Sequence, residues 1–190
     1  RAALRDERAL TFGRLAELDA LMDRLNDRGQ PRRALDIEAE HVELFDRGRG
    51  TALHLFEHVH GDSRDRGPAM IDLLQTYEQA GLYLAPGELP DHLTVVLEYA
   101  STQPPTQARA FLRELTHILQ AIFSALLRRE SPYASVLAAV LELAGEKAQA
   151  VKIPDEPGLD ETWEEPAAFG GCSTQGQASP NQPQPIQIVR

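Results

Sequence analysis

Ala108-Arg109-Ala110-Phe111-Leu112-Arg113-Glu114-Leu115-Thr116-His117-Ile118-Leu119-Gln120-Ala121-Ile122-Phe123-Ser124-Ala125-Leu126 decides the fold class. Ala108, Phe111, Leu112, Leu115, Leu119, Ile122, Phe123 and Leu126 recur at i, i+3, i+4, i+7. That is the spacing of one apolar stripe on a helix of about five turns. Pro104-Pro105 closes the segment before it. Ser131-Pro132 opens another helix after it, with Tyr133, Val136, Leu137, Val140, Leu141 and Ala144 turned inward and Gly145 at its end.

Upstream the same periodicity repeats. Residues 1–27 read as a helix on Leu4, Leu10, Leu15, Leu18, Leu21, Met22 and Leu25, ended by Asn26 to Gly29. Pro31 opens a second helix running to about Phe45. Thr51 is placed to cap a third, ending at Gly61, in which Ala52, Leu55, Phe56 and Val59 share a face. Pro68 starts a fourth, with Met70, Ile71, Leu73, Leu74 and Tyr77 inward and Gly81 at its end. Pro86-Gly87 marks a turn, and a helix after Asp91-His92 holds Leu93, Val96, Leu97 and Tyr99. No convincing strand appears, so an all-α single helical domain is expected over residues 1–153.

From about Pro154 the composition shifts to Pro, Gly, Ser and Gln with a cluster of acids, a pattern that predicts a flexible, largely disordered tail over 154–190. Trp163 and Phe169 stand out within it as short docking elements. The whole chain carries 29 acidic against 19 basic residues, a formal charge of -10. That balance argues against nucleic acid or an anionic membrane surface and suits a basic partner. The single cysteine, Cys172, cannot form an internal disulfide and suits a reducing compartment. No apolar run reaches the length of a membrane span. The chain opens on Arg1 rather than Met, so a preceding N-terminal part of the domain is expected to be missing.

The densest chemistry lies in Leu53-His54-Leu55-Phe56-Glu57-His58-Val59-His60-Gly61-Asp62-Ser63-Arg64-Asp65-Arg66-Gly67. On a helix, His54, Glu57 and His58 make H-x-x-E-H, the pattern of a zinc metallohydrolase whose glutamate acts as general base. Such a site needs a third ligand, and nothing around Glu130 or Glu142 singles either out. Half-buried, hydrogen-bonded histidines are the better reading, with no catalytic residue, metal or cofactor. Asp62 to Gly67 reads as a corner held by its own ion pairs or reaching a partner. Glu88, Asp91 and His92 read as a helix cap.

Glu43-Leu44-Phe45-Asp46-Arg47-Gly48-Arg49, the run from Leu55 to Gly67, Ala69 to Leu74 with Tyr77, Glu88 to Leu93, and Leu97-Glu98-Tyr99 together carry a resemblance. So do Trp163-Glu164-Glu165, Phe169 and Gly171-Cys172. They resemble the NarJ-type chaperones of respiratory nitrate reductase, within the TorD/DmsD/NarJ class. The resemblance implies a cytoplasmic helical bundle that is not an enzyme. Its partner would be the apo catalytic (α) subunit, held notably by its N-terminal segment, while molybdenum cofactor and iron–sulfur cluster are inserted before membrane docking. The acid-x-x-Asp-His element of that class maps onto Glu88, Asp91 and His92. The expected partner-binding residues are Glu57, His58, Arg64, Asp65, Arg66, Tyr77, Glu88, Asp91 and His92. Leu55, Phe56, Tyr77 and Leu93 are the expected apolar anchors.

Overall fold

The computed structural model describes residues 9–26, 31–47, 49–61 and 63–153. All of these lie in the first of two units, Arg1–Glu156. The expected tail, with Trp163, Phe169 and Cys172, lies outside the described residues, as do Leu4 and Asp62.

Among the described residues the architecture is all-helical. Its α-helices are α1 (Phe12–Asn26), α2 (Pro31–His41), α3 (Glu57–His60), α4 (Arg66–Gln79), α5 (Leu93–Thr102), α6 (Pro105–Glu114), α7 (Thr116–Arg128) and α8 (Ala134–Leu143). The centre is α7. Ile118, Leu119, Ile122, Phe123, Ser124, Ala125 and Leu126 are all buried, so this helix is covered on nearly every side. It packs chiefly against α8, with α6 and the turn Arg49–Thr51 also on it, while α1 lies on α8 and α5 on α6. Leu119, Ile122, Leu126, Leu141 and Val96 are almost wholly removed from solvent. Each such side chain contributes about 1.5–3 kcal/mol of transfer free energy.

The expected single helix over 108–126 is two. A 66° bend separates α6 from α7, centred on Leu115 (φ -88°, ψ 0°), whose N–H donates to the Leu112 carbonyl three residues back at 3.2 Å. The reason lies in what each half faces. Arg109, Arg113 and Glu114 keep one side of α6 in water, whereas α7 enters the core, so the chain turns where the outer helix ends. Leu115 stays in phase with the stripe through the bend, and periodicity therefore passes over it. No single helix among the described residues is long and apolar enough to cross a membrane.

The expected helix from Thr51 to Gly61 is also replaced. Only Glu57–His60 forms an α-turn, preceded by a 3-10 turn at Arg49–Thr51. Thr51 is no cap: its side chain is buried and its hydroxyl donates to the Leu44 carbonyl. The backbone beyond it pairs across the fold instead. Leu55 N–H donates to the Asp91 carbonyl (3.0 Å) and Leu93 N–H to the Leu53 carbonyl (2.8 Å), around an antiparallel bridge between His54 and His92. Backbone groups committed there cannot close helical hydrogen bonds.

Other boundaries follow the punctuation. α2 runs on through Val42–Asp46 with wider π-helical bonding, Arg47 N–H reaching the Val42 carbonyl at 3.2 Å. Pro105 takes the first position of α6. α4 starts at Arg66, two residues ahead of Pro68, and closes on Gly81 at φ 77°. There Leu82 N–H returns to the Tyr77 carbonyl at 3.0 Å.

Candidate partner-binding site

The bridge between His54 and His92 brings the charged corner and the Asp-His pair together. Asp91, just before α5, is fully buried. A buried carboxylate needs hydrogen bonds and opposite charge to offset lost hydration. Its Oδ2 accepts from Phe56 N–H at 3.2 Å and lies 3.6 Å from Arg66 Nη2, while Oδ1 lies 3.4 Å from His54 Nδ1. The same Arg66 Nη2 reaches Glu57 Oε1 at 3.3 Å. One aspartate thus ties together the loop before α3, the first turn of α4 and the start of α5.

His92 is the N-cap of α5. Its Nδ1 accepts from Thr94 N–H at 3.4 Å and from the Thr94 hydroxyl at 2.7 Å, which places the ring proton on Nε2. Burial, and secondly the neighbouring His54 ring at 5.0 Å, lower its pKa from the ordinary 6.5; Asp91 opposes them. The neutral ring that this favours is the form able to cap.

Tyr77 closes the arrangement from α4. Its hydroxyl donates to the Pro90 carbonyl at 2.9 Å and its ring meets Tyr99 at 4.8 Å. Burial, then Tyr99 and Asp91, push its pKa up, so it stays a neutral donor. His58 Nε2 donates to the Ala52 carbonyl at 2.8 Å.

Of the expected residues, Glu57, Arg66, Asp91, His92 and, through Pro90, Tyr77 converge, with His58 bracing the adjoining loop. Arg64 and Asp65 sit in the exposed turn leading to α4, where Asp65 N–H donates to Ser63 Oγ at 3.2 Å. Glu88 stands apart: its carboxylate accepts from Ala85 N–H at 3.2 Å and closes the turn at Gly87. Among the apolar anchors, Leu55, Tyr77 and Leu93 are buried within the protein, and Phe56 alone is partly accessible.

The zinc reading fails on geometry. His54 lies on the bridge and faces Asp91, Glu57 faces Arg66, and His58 is bonded to a carbonyl. Among the described residues no three histidine, cysteine or acidic side chains gather as a metal site would require. Sequence reasoning missed His54 as the partner of Asp91, and the Pro90 carbonyl. Both depend on the non-local bridge, for which local periodicity carries no signal.

The family model described as nitrate reductase delta subunit matches residues 9–139. The chain is 48% identical over 141 residues to the nitrate reductase molybdenum cofactor assembly chaperone NarJ of Escherichia coli K12, covering 69% of this chain and 60% of that protein. It is 44% identical over 141 residues to the probable chaperone NarW of the same strain, covering 69% and 61%. With the probable NarJ of Bacillus subtilis the identity is 32% over 101 residues, covering 53% and 55%. The chain therefore spans about 60% of the length of the E. coli relatives it matches.

Proposed function

The chain belongs to the nitrate reductase delta subunit family, and from that membership we propose that it is a dedicated assembly chaperone rather than an enzyme. Its client is the catalytic (α) subunit of a respiratory nitrate reductase in the apo form, engaged by its N-terminal segment in the cytoplasm. It holds that subunit open for molybdenum cofactor and iron–sulfur insertion before membrane docking. The single observation that supports this most is the 48% identity to NarJ, a molybdenum cofactor assembly chaperone by name.

The polar junction fits a binding role better than catalysis. Its buried members, Asp91 and Tyr77, are satisfied within the protein and act as supports. Glu57, His58, Arg64, Asp65, Arg66 and His92 remain partly or wholly accessible around it, and Glu88 flanks the approach. Acids around accessible apolar surface suit an amphipathic basic peptide. The test is co-purification from cells with and without molybdenum cofactor synthesis. The catalytic subunit should accompany the tagged chain, more so in the cells lacking cofactor. Absence of that subunit in both would sink the proposal.

A further inference from the structure

We infer that α4 offers an underfilled face that seats the apolar side of a basic amphipathic segment, with Asp91 as the positioning residue that fixes α4 from below. This rests on the partner reading above and names where the segment lies. Helical spacing puts Arg66, Met70, Leu73, Leu74 and Tyr77 along one side of α4. In an ordinary bundle that side would be buried throughout. Here Tyr77 alone is buried. Met70, Leu73 and Leu74 stay half-buried, and Ile71, on the flank next to Leu74, is 56% exposed. None of these side chains joins the central apolar cluster around α7.

The helix is fastened at its two ends instead. Arg66 holds the first turn to Asp91 and Glu57, and Tyr77 holds the last turn to the Pro90 carbonyl. Between them runs about 16 Å of helix with an apolar side that the core does not fill. The connection that follows adds Tyr83, 79% exposed, and Leu89, 43% exposed.

Charge selects the occupant. Asp65, Asp72, Glu78, Glu88 and Glu98 are exposed on α4, on α5 and in the segments around them, against the single exposed base Arg64. A segment with apolar residues every three or four positions and Lys or Arg on its other side is complementary to both features. A second copy of the chain, at -10, would bring like charge to the same surface.

The experiment is calorimetric titration with a synthetic peptide of the catalytic subunit's N-terminal segment. Ile71→Glu should weaken binding at least about tenfold, while Leu35→Glu, at a position 65% exposed on α2, should leave it unchanged. Both sites are exposed, so both variants should keep the wild-type melting temperature. Hydrogen exchange on the wild type should show α4 amides slowed by the peptide. Asp91→Asn should weaken binding and also speed exchange at the start of α4, an effect that Ile71→Glu lacks. Equal affinity in wild type and Ile71→Glu, or no protection of α4, overturns the inference. So does self-association abolished by Ile71→Glu with peptide affinity intact, which would assign the face to a second copy. If the peptide fails to bind while the full subunit still co-purifies, the seat is wrong and the chaperone reading stands. If the subunit does not co-purify, the chaperone reading falls.

Discussion

At the scale of single residues, His92 couples helix capping to protonation. Its ring accepts from Thr94 only while neutral, and its pKa in the folded protein lies below the ordinary 6.5. As pH falls below that value, the unfolded chain takes up the proton before the folded one does. Stability contributed by His92 is therefore present above about 6.5 and is lost as pH falls through the lowered folded value. Between pH 7 and pH 5 the wild type should lose more melting temperature than His92→Asn, which can cap without titrating. Parallel pH curves for the two proteins would refute this. His92→Ala removes the cap at all pH values and should cost about 1 kcal/mol in chemical denaturation. Tyr77→Phe tests the other fastening. It leaves the Pro90 carbonyl without its donor and should cost about 1–3 kcal/mol. An unchanged denaturation midpoint would show that the bond contributes nothing.

At the scale of elements, what was legible and what was not divides by the range of the interaction. Pro105, Gly81 and Gly145 punctuate the sequence where helices begin or end, because the chemistry of a helix terminus is local. The apolar stripe of α7 was legible for the same reason. The stretch from Thr51 to Gly61 misled because its apolar positions fit a helix, yet Leu53 and Leu55 hydrogen-bond with residues 91 and 93, nearly 40 positions away. The candidate site was legible as a roster, through resemblance and charge density. Its geometry was not, because Asp91 acquires its role only when that pairing forms. Asp91→Ala should show the cost. It leaves Arg66 and the Phe56 N–H without their buried acceptor, a loss on the order of 3–5 kcal/mol, whereas Glu88→Ala, in an exposed turn, should change stability by under about 0.5 kcal/mol. Comparable losses for the two would mean that Asp91 is not the tie between α4 and α5. Leu126→Ala provides the scale for core loss: a fully buried leucine on α7 should cost about 2–5 kcal/mol.

At the scale of the whole molecule, the decisive property is a charge of -10 on a chain whose exposed apolar positions include Ile71 and Tyr83, near its acids. Long-range attraction speeds the encounter with a basic segment, while the apolar seat sets how long the segment stays. These two contributions respond differently to salt. Raising sodium chloride from about 0.05 to 0.3 M shortens the screening length from roughly 14 to 6 Å, which reaches charges spread over the surface but not a desolvated apolar contact. The association rate for the N-terminal peptide should therefore fall about tenfold over that range, with the dissociation rate nearly constant. Ile71→Glu should do the reverse, raising dissociation and leaving the salt slope of association in place. Stopped-flow measurement of both rates separates the two. A salt effect confined to dissociation would mean that charge acts within the bound complex, and that the acidic surface does not steer the partner at all.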